Sequence, residues 1–118
     1  MFRVIIAGTR EFQDYELLRE YADFKLSNIT GEIEIVSGGA RGADALGERY
    51  AREKGYQVKR FPADWKKYGR AAGPKRNEEM AKYADALLAY WNGRSPGTKN
   101  MIELAKANGL KVGVKLYE

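Results

Sequence analysis

Ile35-Val36-Ser37-Gly38-Gly39-Ala40-Arg41-Gly42-Ala43-Asp44 is the stretch from which the fold is read. An apolar run ends in a glycine-rich turn, and the turn enters a segment that places Ala43, Leu46, Gly47, Tyr50 and Ala51 on one helical face. The reading is strand, tight turn, helix. Glycines let a backbone come close to a ligand, and the first amides of a helix are unpaired donors at the positive end of its dipole. That combination suits a phosphate. Arg41 adds charge and Asp44 is placed to take a hydroxyl. Gly38-Gly39-x-x-Gly42 is nevertheless not the usual dinucleotide fingerprint. A plain strand-to-helix turn needing positive φ would look the same, and an Asp in a first helical turn also serves the helix dipole.

Outward from this stretch, strands and helices alternate. Phe2 to Ala7 is a nearly continuous apolar run, as in a parallel sheet covered on both faces. Gly8-Thr9-Arg10 follows it. Asp14 caps a helix to about Ser27, with Leu18, Tyr21, Ala22, Leu26 and Ile29 inward. Ile33 to Val36 is the second strand. The second helix stops near Lys54-Gly55, and Val58 to Phe61 is a short third strand. Pro62, Ala63, Asp64 and Trp65 follow, then a polar stretch over Lys66 to Gly73 that reads as irregular, with the position of a lid. Pro74 opens a helix to about Tyr83, and Asp85 to Trp91 is the fourth strand. After the loop Asn92 to Gly97, Thr98 caps a helix with Met101, Ile102 and Ala105 inward. Asn108-Gly109 ends it, and Lys111 to Leu116 is the last strand. This alternation predicts one domain over residues 1–118: a Rossmann-like, doubly wound parallel sheet of five strands in three α/β/α layers.

Composition narrows the chemistry. The 118 residues include no Cys and no His, which excludes disulfides, thiol nucleophiles, Ser-His-Asp catalysis and the usual zinc ligands. An acid or base must be Asp, Glu, Lys or Tyr, and a metal would be a hard ion on oxygen ligands. No apolar run approaches the roughly 20 residues that span a bilayer, and no signal peptide is visible. The expectation is a cytoplasmic protein with no membrane partner. Residues 59–82 hold eight Lys or Arg against three Asp or Glu, so this segment accounts for the whole net charge of +5. A local basic segment points to an anionic partner, small or polymeric, or to a solvated surface.

In doubly wound sheets ligands sit beyond the carboxyl ends of the strands. That rule gathers Gly8, Thr9 and Arg10, then Ser37 to Asp44, then Asp64 and Trp65, then Ser95, Pro96, Gly97 and Thr98. Hydroxyls and amides there suit phosphate, Asp44 or Asp64 a ribose, and Trp65, Tyr68 or Trp91 a stacked base. Arg10 and Arg41 are phosphate partners or surface ion pairs. Arg76 and Asn77 begin the next helix, where Asn77 reads equally as a capping or surface group.

Gly8-Thr9-Arg10, Ser37-Gly38-Gly39-Ala40-Arg41-Gly42-Ala43-Asp44 and Gly93-Arg94-Ser95-Pro96-Gly97-Thr98 together resemble the SLOG superfamily, which joins the Smf/DprA and LOG proteins. The similarity is greatest to its YspA/cpYpsA-related branch and covers nearly the whole chain. The resemblance implies a Rossmann-like fold and a nucleotide or nucleotide-derived ligand, in a sensor, carrier or sequestering module of phage and bacterial conflict systems. The strand-end rule and these motifs together give the ligand set Gly8, Thr9, Arg10, Ser37, Gly38, Gly39, Arg41, Gly42, Ala43, Asp44, Asp64, Trp65, Ser95, Pro96, Gly97 and Thr98. No cofactor is required, a hard divalent ion accompanying the ligand and a homodimer are compatible with it, and DprA-like binding of single-stranded nucleic acid is a further alternative. LOG-type relatives cleave the N-glycosidic bond of nucleoside monophosphates with the motif Pro-Gly-Gly-x-Gly-Thr-x-x-Glu. Here that glutamate position is Met101, which cannot act as acid or base; this argues against LOG-type hydrolysis, and an enzymatic role would need a displaced carboxylate, Asp44 first, with Asp64, Glu78 and Glu103 as the others.

Overall fold

The structure, a computed structural model, describes residues 1–118. Strands β1 (Phe2–Gly8), β2 (Ile33–Ser37), β3 (Gln57–Arg60), β4 (Ala86–Trp91) and β5 (Lys111–Leu116) alternate with helices α1 (Tyr15–Leu26), α2 (Ala43–Lys54), α3 (Trp65–Tyr68), α4 (Ala72–Tyr83) and α5 (Pro96–Ala107). All strand pairs are parallel, in the order β3-β2-β1-β4-β5. The chain winds outward from β1 through β2 to β3, then returns to lay β4 on the other side of β1. Order therefore reverses between β1 and β4, and the loops after these two strands part there.

Alternation along β1 separates two cores. Val4 and Ile6 pack with Leu18, Ala22, Ile35, Tyr50, Leu88 and Tyr90 on the side of α1 and α2. Ile5 and Ala7 pack with Val36, Met80, Leu87, Ala89, Met101 and Ile102 on the side of α4 and α5. Burial on both faces is why β1, β2 and β4 read as nearly continuous apolar runs, broken only at Arg3 and at Glu34 and Ser37. The Tyr90 hydroxyl donates to the Leu18 carbonyl at 2.9 Å and so ties β4 to α1.

Three local expectations are corrected. Residues 66–73 are mostly helical: the Asp64 carboxylate accepts the Lys67 amide at 3.1 Å and starts α3. A single 3-10 turn, Gly69–Ala71, joins α3 to α4. The two glycines suggested a break, but Gly69 only supplies a positive φ of 53° at the joint, and Gly73 lies inside α4. Helix α4 also begins at Ala72, two residues before Pro74, because a proline in a first turn has no intrahelical amide bond to lose. Helix α5 is capped by Ser95, with Pro96 at its first position; Thr98 donates to that cap.

Leu87 is wholly buried, so Leu87→Ala is expected to lower unfolding stability by about 3 kcal/mol. Tyr90→Phe, which leaves the Leu18 carbonyl without its partner, should lower it by about 1 kcal/mol. Urea denaturation followed by tryptophan fluorescence checks both values.

Candidate functional site

At the carboxyl edge of the sheet lie two adjoining hollows. The larger, about 680 Å³, opens at the reversal between β1 and β4, under the loops after those strands and the first turns of α4 and α5. The smaller, about 640 Å³, lies beyond the tips of β2 and β3. Arg10, Ala40, Trp65 and Arg76 line both and form the divide.

The glycine turn makes this arrangement possible. Gly42 has a φ of +77°, and a side chain there would collide with the carbonyls of Thr9 and Arg10. The turn is thus pressed against the end of β1. A Cβ on Gly38 would lie 2.5 Å from Arg76 Nη1 and 2.7 Å from Asp44 Oδ2. Without a side chain, Gly38 lets both groups close over the turn. Arg76 donates from Nη1 to the Gly38 carbonyl at 2.6 Å and from Nε to Asn77 Oδ1 at 3.0 Å.

Asp44 is only 6% exposed and accepts the Ala40 amide at 3.2 Å. Burial pushes its carboxyl up to about 6 from an ordinary value of 3.8, and the nearby Glu48 adds to the rise. The Ala40 amide, Arg76 and Arg10 oppose this without cancelling it. Burial likewise lowers Arg76 from the usual arginine value, with Asp44 pulling it back up. A carboxyl that changes charge close to neutrality therefore faces a fixed guanidinium across the wall of the larger hollow.

The backbone donors are largely committed. The Gly39 amide donates to Ser37 Oγ at 3.0 Å, and the Ser37 hydroxyl donates to Glu48 Oε2 at 2.7 Å. Arg60 donates from two nitrogens to Glu48 Oε1. On the other side Asn92 Oδ1 accepts the amides of Arg94 and Ser95, and Ser95 Oγ accepts the amide and hydroxyl of Thr98. Asn77 Nδ2 donates to Asn100 Oδ1 at 3.0 Å and bridges α4 to α5. The amides of Gly42, Asp44 and Gly97 stay unpaired, and beside them the edge offers guanidinium groups. Thr9 Oγ1 is buried at the end of β1 with no hydrogen-bond partner.

Of the residues named from sequence, Gly8, Thr9, Arg10, Asp44, Trp65, Ser95, Pro96, Gly97 and Thr98 line the larger hollow. Gly38, Gly39 and Arg41 line the smaller. Ser37 is wholly buried against Glu48, Gly42 and Ala43 pack against the end of β1, and Asp64 caps α3; none of these four lines a hollow. Arg76, Asn77, Asn100 and Arg60 stand outside that set yet shape the edge. A sequence signal existed for Asn77: it shares the inward stripe of Met80, Ala81 and Ala84, where a polar residue needs partners. No signal for Arg60 exists, because its partner Glu48 comes from another element.

A reversal-point crevice at the strand tips of a 3-2-1-4-5 parallel sheet defines a Rossmann-like α/β domain. The model of the YspA, cpYpsA-related SLOG family matches residues 2–68, and the chain belongs to that family. It is 36% identical over 118 residues to the Gene 61 protein of Mycobacterium phage D29, covering 95% of this chain and 94% of that protein. A solved structure of a predicted subunit of tRNA methyltransferase from Methanocaldococcus jannaschii is 15% identical, with a TM-score of 0.49 over 98% of this chain and 68% of that one. No helix is long and apolar enough to cross a membrane.

Folding favours the protonated form of Asp44, so its contribution is complete below 3.8 and is lost as pH rises through about 6. Asn imitates the protonated carboxyl and keeps an acceptor for Ala40. Asp44→Asn should therefore melt higher than the parent at pH 7.5, by up to about 3 kcal/mol in stability, with the gap closing near pH 4. Thermal melts across this range check it; a gap independent of pH would remove Asp44 as the titrating group.

Proposed function

We propose that the chain binds a nucleotide or nucleotide-derived ligand in the larger hollow, as a sensor, carrier or sequestering module. The observation that carries this reading is the meeting of Arg10, Arg76 and the buried Asp44 at the point where strand order reverses. Membership of the SLOG family supports it, as does a volume within the range of about 300–1,000 Å³ typical of ligand sites. Phosphate would lie toward Arg10, Arg76 and the start of α5, where charge and the helix dipole act together. Ribose hydroxyls would face Asp44 and Asn77. Trp65, which is 52% exposed at the rim, offers a face for the base.

Calorimetric titration with mononucleotides, cyclic nucleotides, ADP-ribose and NAD tests the reading. At least one should bind with micromolar affinity, and Arg76→Gln should weaken it tenfold or more while circular dichroism stays unchanged. No heat with any of them would count strongly against it.

One observation favours a second reading. A carboxyl pushed up to about 6 suits a general acid: Asp44 would protonate the base as the N-glycosidic bond breaks, water would add to the ribose anomeric carbon of a nucleoside monophosphate, and the proton that water loses would return to Asp44 through solvent. Met101 supplies no carboxylate at the LOG-type position. Chromatographic assay of free base, with Asp44→Asn as the control, separates turnover from binding.

A further inference from the structure

We propose that the smaller hollow is an anion site that takes a diphosphate, so that the ligand spans both hollows with its nucleoside half in the larger one. The lining differs sharply between the two. Arg10, Arg41, Arg60 and Arg76 line the smaller hollow with no Asp or Glu among its residues. The larger has Glu11 and Asp44 in its wall.

The smaller hollow is also a built arrangement. Its floor is the ridge Gly38-Gly39-Ala40, and no atom lies within 4 Å of where a Gly39 side chain would stand. Two guanidiniums are anchored beside this ridge. Arg76 is fixed on the Gly38 carbonyl. Arg60 is fixed on Glu48, which is 8% exposed on its side chain and which also holds Ser37 and, through it, the Gly39 amide. Glu48 is thus a positioning residue that joins ridge and arginine. Arg60 spends two nitrogens on Glu48, and its side chain remains 66% exposed, with donors left for a ligand. Arg41 meets Glu11 at 3.5 Å, with both side chains about three-quarters exposed. Such a pair contributes little and is readily exchanged for a phosphate. Arg10 makes no ion pair. Guanidiniums bind phosphate oxygens two at a time, and four around one concave space match two linked phosphates better than one.

The ligand's nucleoside half rests on the nucleotide reading; the anion site does not. The test is calorimetry with inorganic pyrophosphate alone and with the mono- and diphosphates of the four ribonucleosides. Pyrophosphate should bind at micromolar concentration. Arg41→Gln with Arg60→Gln should weaken it at least tenfold, whereas Arg49→Gln with Arg52→Gln, an equal charge loss away from the hollow on α2, should change it less than twofold. At least one diphosphate should bind ten times tighter than its monophosphate, and the first double variant should erase that gain while sparing the monophosphate. Failure of pyrophosphate to bind, or equal binding to the first double variant, overturns the proposal. A monophosphate that binds with no gain for the diphosphate also overturns it and leaves the nucleotide reading standing. Pyrophosphate binding with no nucleotide binding upholds the anion site and removes the nucleotide reading. A single-stranded oligonucleotide without terminal phosphates that displaces pyrophosphate at lower concentration overturns it in favour of a polymer surface.

Discussion

Asp44 sits where the fold has taken a carboxyl out of water and set it against a guanidinium. Both groups close on the same turn because Gly38 has no side chain and because Gly42 lets the turn touch the end of β1. A side chain at Gly38 would collide with both Arg76 and Asp44. Burial is the dominant influence on Asp44, ahead of the attraction of Arg76. That ranking makes the carboxyl responsive near neutral pH, whereas an exposed ion pair would stay fully charged.

The hydrogen bonding of the two loops changes how anion capture is understood. A glycine-rich turn before a helix is ordinarily read as a set of waiting amides. Here Ser37, Asp44, Asn92 and Ser95 accept amides of their own loops. These side chains hold the loops in shape, and in the proposed anion site recognition falls to arginines. Arginine suits that task, since its planar fork matches phosphate and its charge survives partial burial. The cost of ordering the loops is met on folding, before a ligand arrives.

Kinship with the SLOG family gives these arrangements a setting, and the 36% identical phage protein shares nearly the whole length. The chain departs from LOG-type relatives at Met101, which is 1% exposed and belongs to the core under α5. An apolar side chain there contributes packing where those relatives place a carboxylate. The buried carboxyl in the wall of the larger hollow is that of Asp44, in the first turn of α2.

Sequence by itself determined the alternation of the strands with the longer helices, the parallel three-layer class and the strand-tip edge at which the hollows open. Period and turn residues carry that information locally: Val4 and Ile6 against Ile5 and Ala7, Gly55 ending α2, Asp14 opening α1. Asp64 as the cap of α3 was legible in the same way, but Gly69 and Gly73 masked it. Tertiary structure alone decided that Ser37 turns inward to Glu48, that Asp44 is buried enough to titrate near neutrality, and that Arg60 and Arg76 converge on the glycine ridge. Each of these depends on groups from separate elements, over sequence distances such as the 38 residues between Gly38 and Arg76. No local pattern encodes such a meeting, because it is the sheet's reversal between β1 and β4 that brings the pieces to one edge.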